Sequence, residues 1–195
     1  MQIETTETGS YGVNCSLIEN QGKTWIVDPG SEPEKILRMI GKHGRAPDAI
    51  LLTHAHFDHV SAVAALEKEY PGIPVYVHPA DLPMFAHPMN ACPPEYPSPP
   101  KPLTVANALD LPMTIHTPGH TPGSVCYLFP DANVLFSGDT LFAGSVGRTD
   151  FPGGSMSALM SSLKHLAALP PGLSVIPGHG PFTTIGDEIR TNPYM

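Results

Sequence analysis

The heptapeptide Thr53-His54-Ala55-His56-Phe57-Asp58-His59 constrains this chain more than any other feature. Four side chains of metal-ligand type occur here within six residues, after an apolar strand-like run over 49–53 and before a helical pattern over 60–70. In extended backbone His54 and His56 point to the same side, and Asp58 and His59 follow as the chain turns into the helix. The motif predicts a metal site at the end of a buried strand, where catalytic groups are held by a rigid scaffold and remain reachable.

Three further candidate ligands lie far away in the sequence. His120 occurs in Thr-Pro-Gly-His-Thr-Pro-Gly, Asp139 in Ser-Gly-Asp-Thr, and His179 in Pro-Gly-His-Gly-Pro. Each follows a strand-like run and has a glycine beside it, which permits backbone conformations that bring a side chain into a crowded centre. We therefore expect these three residues to join the heptapeptide in one site.

Imidazole and carboxylate ligands together suit zinc first, with iron or manganese as alternatives. A set of this size is too large for one tetrahedral ion and predicts two divalent ions that share a carboxylate. Two ions about 3.5–4 Å apart can share a hydroxide nucleophile while one of them polarises a carbonyl, so the sequence predicts a metal-dependent hydrolase. The predicted metal ligands are His54, His56, Asp58, His59, His120, Asp139 and His179.

The rest of the chain has the pattern of an α/β protein with mixed sheets. Its length of 195 residues fits a single domain over 1–195. Period-two and buried apolar runs predict strands over 13–18, 24–27, 49–53, 74–78, 113–116, 124–129, 133–136 and 173–176. Helical spacing predicts helices over 34–42, 60–70 and 156–169, the first opened by Pro33 and closed by Gly44.

Composition excludes several classes of partner. The formal net charge of −8 argues against a nucleic-acid phosphate backbone, and no apolar run is long enough to cross a bilayer. The amino-terminal residues carry no secretion signal, so we expect a cytoplasmic protein that acts on a small molecule. The cysteines Cys15, Cys92 and Cys126 lack CxxC spacing and are expected to be reduced thiols. The sequence does not indicate an oligomeric state.

The segment 79–102 contains nine prolines in 24 residues and cannot form a regular helix or a central strand. It is either a stiff surface loop or a lid over the metal site, to which Phe85 or Tyr96 would give an apolar face. The histidines outside the ligand motifs are interpreted as surface or strand-end residues, with His78 and His87 as the candidates for exceptions.

Residues 53–59 match the THxHxDH motif of the metallo-β-lactamase superfamily, and the chain resembles this family over nearly its whole length. The resemblance implies an αβ/βα four-layer sandwich with two mixed sheets. Within the family the chain looks most like the small, single-domain type II glyoxalases, the hydroxyacylglutathione hydrolases, because of the segments 137–142 (SGDTLF) and 147–154 (GRTDFPGG). About 16 residues follow His179, so we expect no counterpart of the helical domain that two-domain glyoxalases carry.

The resemblance also implies roles for individual residues. One ion would bind His54, His56 and His120, and the other Asp58, His59 and His179, with Asp139 bridging and Asp28 supporting the ligands from behind. Asp58 would also accept a proton, and Arg148 would bind a carboxylate of glutathione, with a surface salt bridge as the alternative.

The reaction implied is hydrolysis of S-lactoylglutathione or a related hydroxyacyl thioester by a hydroxide bound to the metals. The persulfide dioxygenases, which use a single iron and also carry a Gly-Arg-Thr-Asp-Phe segment, are the alternative, and lactonase-type hydrolases are a further one. A non-catalytic metal-binding scaffold is disfavoured because no ligand of the motif is missing.

Overall fold

A computed structural model describes residues 2–88 and 113–195. The chain divides into two compact units, residues 1–107 and residues 108–195, and each unit has its own sheet. The prediction of one domain over 1–195 stays a prediction.

The first unit contains a five-stranded mixed sheet with the strand order β1-β2-β3-β4-β5. Its elements are β1 (Gln2–Thr8), β2 (Val13–Asn20), β3 (Lys23–Val27), α1 (Pro33–His43), β4 (Ala49–Leu51), α2 (Phe57–Val60), α3 (Val63–Glu69), β5 (Val75–Tyr76) and a 3-10 helix (Pro79–Ala86). Strands β3, β4 and β5 are parallel to one another. Their carboxyl ends therefore lie at one edge of the sheet, where Asp28 and His54 follow β3 and β4.

The core of the first unit is an apolar layer between the sheet and its helices. Helix α1 begins with Pro33, contributes Ile36, Met39 and Ile40 to this core, and ends at Gly44, whose amide donates to Ile40 O. Proline fits the first helical turn and glycine the left-handed position after the helix, so the predicted start and end signals are confirmed.

The second unit has a mixed sheet with the order β12-β11-β8-β7-β6. Its elements are β6 (Met113–His116), β7 (Val125–Phe129), a 3-10 helix (Pro130–Ala132), β8 (Val134–Gly138), β9 (Leu141–Phe142), β10 (Ser145–Val146), α4 (Met156–Ala167), β11 (Ser174–Pro177), β12 (Thr183–Thr184) and α5 (Ile185–Thr191). Strand β11 is parallel to β8, and β6 runs in the same direction because β7 is antiparallel to both of its neighbours. The carboxyl ends of β6, β8 and β11 thus share one edge.

The predicted α/β class with two mixed sheets is confirmed, but individual elements differ from the prediction. The helix predicted over 60–70 is wrong as one element, because the Ala62 amide donates to Pro29 O and the Ser61 hydroxyl donates to Phe57 O, which separates α2 from α3. Strand β1 and the short elements β9, β10, β12 and α5 were not predicted, since their sequences are polar or very brief.

The proline-rich segment begins with the 3-10 helix Pro79–Ala86 and accommodates Pro83 inside it, so its first residues are helical after all. A 3-10 helix of this kind tolerates proline because the regular α-helical hydrogen bonds are not required. Phe85 is partly buried and packs against the core of the first unit. Residues 89–112, including Cys92 and Tyr96, lie outside the described residues. Within the described part of the chain, no helix is long and apolar enough to cross a membrane.

Candidate metal centre

The first unit presents its candidate ligands in the loop between β4 and α2. His54, His56 and His59 are buried, whereas the Asp58 side chain is 13% exposed and lies with Oδ2 3.8 Å from His59 Nε2. The His54 ring lies 4.8 Å from the His56 ring and 4.1 Å from the His59 ring, measured between centroids. The heptapeptide therefore brings its three imidazoles and one carboxylate together, as the sequence predicted.

Asp28 organises these ligands from behind. Its Oδ1 accepts the Thr53 amide at 2.7 Å, and its Oδ2 accepts the Thr53 hydroxyl at 2.6 Å and His59 Nδ1 at 2.9 Å. The residue is 1% exposed and has a φ of 48°. Aspartate adopts this left-handed conformation more readily than most residues, and here it directs the carboxylate under the ligand loop.

These contacts fix the tautomers of two imidazoles. Asp28 can only accept, so His59 Nδ1 carries the proton and its Nε2 carries the lone pair. The Thr53 hydroxyl donates its one proton to Asp28, so it must accept from His54 Nδ1, which lies 3.1 Å away. His54 Nδ1 therefore carries the proton, and its Nε2 carries the lone pair. Metal-binding histidines usually have their other ring nitrogen held in this way.

The second unit gathers its three candidates at the common edge of β6, β8 and β11. Asp139 Oδ2 lies 3.5 Å from His120 Nε2 and 3.5 Å from His179 Nε2. His120 is 3% exposed in its side chain, Asp139 11% and His179 26%, so the group opens towards solvent on the His179 side. One carboxylate oxygen is thus equidistant from two imidazole nitrogens.

Backbone atoms set the geometry of this second group. His120 Nδ1 donates to Arg148 O at 2.7 Å, which leaves the lone pair on Nε2. Gly119 has a φ of 147°, and a Cβ there would lie 2.4 Å from Leu159 Cα of α4. A Cβ on Gly147 would lie 1.8 Å from Asp139 O and 3.2 Å from His120 Cβ. Glycine is required at positions 119 and 147 because other atoms occupy the space of a side chain there.

The donor set fits divalent metal ions. Two ligand atoms bound to one tetrahedral ion at about 2.0–2.1 Å lie roughly 3.4 Å from each other. The Asp139–His120 and Asp139–His179 separations of 3.5 Å have that spacing. Three of the histidines also have the proton held on Nδ1, as neutral imidazole ligands require.

Arg148, the predicted substrate-binding residue, is paired within its own loop. Its guanidinium donates from Nε to Asp150 Oδ1 at 2.7 Å and from a terminal nitrogen to Asp150 Oδ2 at 2.6 Å, and it lies 3.9 Å over the Phe151 ring. The hydrogen bonds from Arg148 lower the pKa of Asp150 to about 2. The salt bridge considered as the alternative is therefore present, and the backbone carbonyl of Arg148 holds His120, which no sequence signal indicated.

Sequence reasoning also missed Asp81. This residue is fully buried in the 3-10 helix Pro79–Ala86, and its Oδ2 accepts the amide of Ala55 at 3.0 Å, between His54 and His56. An acidic residue in an otherwise apolar stretch directly after a buried strand was the available signal. The proline content of the segment concealed it.

The remaining histidines and the thiols have other roles. His78 accepts the Ala80 amide at the start of the 3-10 helix, His116 Nε2 contacts Pro122 O, and His43 lies 3.5 Å from Glu19. Burial raises the pKa of the Cys15 thiol, and it raises that of Cys126 to about 11. In the part of the chain that the structure describes, both cysteines are free thiols, as predicted.

A family model described as the metallo-β-lactamase superfamily matches residues 8–179, which include all of the candidate ligands. The chain belongs to the metallo-β-lactamase superfamily. Among curated relatives it is 36% identical to "Probable metallo-hydrolase YqgX" of Bacillus subtilis, over 100% of this chain and 98% of that protein. It is 33% identical to "Hydroxyacylglutathione hydrolase GloC" of Haemophilus influenzae, over 100% of this chain and 98% of that protein.

Solved structures of superfamily members agree with the fold. The di-iron-bound form of TTHA1623 is 46% identical with a TM-score of 0.86, covering 98% of this chain and 100% of that one. BLEG-1 B3 metallo-beta-lactamase is 37% identical with a TM-score of 0.88, covering 99% of both. ETHE1 from Myxococcus xanthus is 26% identical with a TM-score of 0.77, covering 99% of this chain and 84% of that one. The predicted family and fold class are confirmed.

Proposed function

We propose that this metallo-β-lactamase superfamily member is a dinuclear thioesterase that hydrolyses S-lactoylglutathione or a related hydroxyacyl thioester. As the family resemblance implies, one ion would be held by His54, His56 and His120 and the other by Asp58, His59 and His179, with Asp139 as a ligand to both.

The position of Asp139 carries the dinuclear part of the proposal. Its Oδ2 lies 3.5 Å from Nε2 of both His120 and His179, which are assigned to different ions. Each separation is that of two atoms bound to one ion, so this oxygen has the spacing required of a ligand that both ions share. The di-iron-bound relative, at 46% identity, supports two ions over one. Zinc stays the predicted metal, and the same relative gives iron independent support.

When bound, two divalent ions lower the pKa of water and polarise the carbonyl of the substrate. The protein's own contribution is orientation: Asp28 and the carbonyl of Arg148 keep His54, His59 and His120 in the tautomer that binds metal. Asp58, with a side chain 13% exposed, accepts the proton of the attacking water. A thiolate leaving group, whose conjugate acid has a pKa of about 8.5, departs without a dedicated general acid.

Two observations favour a glutathione thioester as the substrate. The relative named GloC, at 33% identity over the whole chain, is named a hydroxyacylglutathione hydrolase. Arg148 is the exposed cation of the segment that follows Asp139. Its guanidinium already forms a bidentate hydrogen bond with the carboxylate of Asp150. A substrate carboxylate would replace Asp150 in that contact. We keep the cytoplasm as the predicted location, where glutathione thioesters would be available.

The second candidate function is a persulfide dioxygenase with a single iron, favoured by the Gly-Arg-Thr-Asp-Phe segment at 147–151. A lactonase-type reaction is a further alternative within the hydrolases. The dinuclear hydrolase and the dioxygenase differ in metal content as well as in substrate, so one set of measurements separates them.

The test combines metal analysis of the purified protein with four assays. These measure cleavage of S-lactoylglutathione, oxygen uptake with glutathione persulfide, opening of a homoserine lactone and opening of a chromogenic cephalosporin. Two ions per chain with thioester cleavage as the fastest reaction is the expected result. One iron with oxygen uptake would replace the proposal with the dioxygenase, and faster lactone or cephalosporin opening would assign a different hydrolase.

A further inference from the structure

The hairpin formed by β9 and β10 lies against all three candidate ligands of the second unit. It starts two residues after Asp139, and the Phe142 ring meets the His179 ring edge-on at 6.0 Å between centroids. The residue after β10, Gly147, approaches the Asp139 backbone so closely that a Cβ would lie 1.8 Å from its oxygen. The next carbonyl, that of Arg148, accepts from His120 Nδ1. Any displacement of this hairpin would therefore reach each of these ligands.

The hairpin cannot hold this position by itself. Its two strands pair only through Ser145 with Phe142 and Val146 with Leu141. Even longer isolated two-stranded hairpins are only marginally stable in water. Contacts from elsewhere in the unit must fix it. Leu141 of the hairpin packs in the core of the second unit, and the Ser137 hydroxyl donates to its carbonyl.

Helix α5 and its cap residue Asn192 bind the rest of the hairpin through two buried polar side chains. Glu188, 2% exposed, accepts the Gly144 amide through Oε2 at 2.8 Å. Asn192, 5% exposed, donates from Nδ2 to Ser145 O at 3.0 Å and to Phe142 O at 3.4 Å. The hairpin is thus bound by one acceptor and one donor that lie four residues apart, in the first turn of α5 and at its carboxyl-terminal cap.

The two side chains also hold each other. Asn192 Nδ2 donates to Glu188 Oε2 at 2.8 Å, and the Thr183 hydroxyl donates to Glu188 Oε1 at 2.6 Å. Both carboxylate oxygens of Glu188 are therefore occupied by donors, as a buried carboxylate requires. The result is one connected network from β12 through α5 to the hairpin.

We infer that Glu188 and Asn192 are positioning residues of the metal site, which fix the β9–β10 hairpin against Asp139, His120 and His179. The inference rests on the proposed function, because it takes those three residues as ligands. It adds that the short carboxy-terminal helix, which holds no ligand itself, sets the metal affinity of the second unit.

The test compares Glu188→Ala and Asn192→Ala with two matched variants. In Glu188→Gln the side-chain oxygen can still accept from Gly144 and Asn192, and the amide nitrogen can donate to the Thr183 hydroxyl once that hydroxyl rotates. This variant should therefore keep the network that Glu188→Ala loses. Thr183→Val removes one bond to Glu188 and leaves both hairpin contacts in place. Zinc affinity is measured by competition with a chromogenic chelator, and amide exchange at Gly144 is measured in metal-free protein.

We expect each alanine variant to raise the zinc dissociation constant roughly tenfold, as losses of supporting groups around metal ligands do, and to accelerate Gly144 exchange. Glu188→Gln and Thr183→Val should stay close to the parent in both measurements. Phe129→Ala removes a buried ring that pairs with Phe136 and lies outside the apolar cluster containing Leu141 of the hairpin. At equal loss of thermal stability it should keep its zinc affinity.

The inference is overturned if the alanine variants bind zinc like the parent, or if Phe129→Ala loses as much affinity as they do. It is also overturned if Glu188→Gln fails to restore binding while Gly144 stays protected. If the parent protein itself bound no zinc or iron, the proposed function would fail first, and that outcome is distinct because it precedes any comparison of variants.

Discussion

The two units hold their ligands by different means. In the first unit the ligands are nearly contiguous, and a buried side chain, Asp28, orients His54 and His59 through hydrogen bonds. In the second unit the ligands come from three strand ends, and a backbone carbonyl and close glycine packing orient them. A side chain that orients a ligand can be removed by one substitution. A backbone carbonyl cannot, and it can be displaced only by mutating the residues that allow the backbone to come close. The units should therefore differ in which mutations damage them.

The largest effect is expected at Asp139, the one ligand proposed to belong to both ions. Asp139→Ala should abolish thioester cleavage and lower metal occupancy at both positions, because two cations would lose the anion that shields them from each other. Metal analysis after dialysis measures the occupancy, and the initial rate of thioester cleavage measures the activity. Asp131→Ala, which removes an exposed carboxylate of the same unit, is the control and should retain two ions. Full occupancy and normal turnover in Asp139→Ala would disprove the bridging assignment.

A smaller effect is expected at Asp28, the side-chain support of the first unit. Asp28→Asn preserves the volume but places an amide donor where Oδ2 accepts, so His59 must move its proton to Nε2 and can no longer bind metal through that atom. We expect metal affinity to fall by roughly 10- to 100-fold. Chelator competition measures the change.

Asp48→Asn is the matched control for this substitution. Asp48 lies in the same unit and accepts the Thr24 amide at 2.7 Å, and we assign it no part in holding the ligand loop. It should leave metal affinity unchanged. Equal affinities for Asp28→Asn and the parent would show that side-chain orientation contributes nothing in the first unit.

Backbone support in the second unit is tested at Gly147. In Gly147→Ala the new Cβ would meet Asp139 O, and overpacking of this kind costs about 1–3 kcal/mol of unfolding free energy. We expect a lower thermal midpoint together with an approximately tenfold loss of metal affinity, since Asp139 is displaced.

Gly172→Ala serves as the comparison, because a Cβ there meets nothing within 4 Å. It should leave both the thermal midpoint and the metal affinity near those of the parent. If Gly147→Ala behaved like Gly172→Ala, the close packing would not be what positions Asp139, and the contrast between the units would be lost.

The same contrast explains what the sequence could predict. The ligands of the first unit were recognisable because four of them occur within six residues, and those of the second because each follows a strand and adjoins a glycine. Supports such as Asp81, the Arg148 carbonyl and Glu188 were not recognisable, because their function depends on contacts with residues far away in the sequence. A carbonyl, moreover, has no sequence signature at all.

Fold prediction succeeded and failed for related reasons. The buried strands β2, β7 and β8 have strong apolar patterns, and α1 has clear start and end residues. Strand β1 is stabilised by pairing with β2 although its own sequence is largely polar, and α5 is too short to show a helical period. Local pattern was sufficient where burial was extensive and insufficient where tertiary contacts determine the element.

The smallest effect is expected at Arg148, where the side chain, unlike the carbonyl, is not needed for the metals. Arg148→Ala keeps the backbone oxygen that holds His120, so both ions should remain bound. The guanidinium side chain is 57% exposed and already paired with Asp150, so water and this internal anion weaken its hold on a substrate carboxylate. We therefore expect kcat/KM for a glutathione thioester to fall by about tenfold, mainly through KM.

Asp150→Asn gives the opposite test of the same contact. Removing the competing carboxylate should release the guanidinium for the substrate and lower KM for a glutathione thioester by roughly threefold, a modest change as expected for an exposed pair. An uncharged thioester without carboxylates should be cleaved equally by both variants and the parent, which separates recognition from damage to the loop. If both variants raised KM, or changed the uncharged substrate as much as the charged one, then the Arg148–Asp150 pair would serve to hold the loop, and substrate recognition would have to be sought elsewhere.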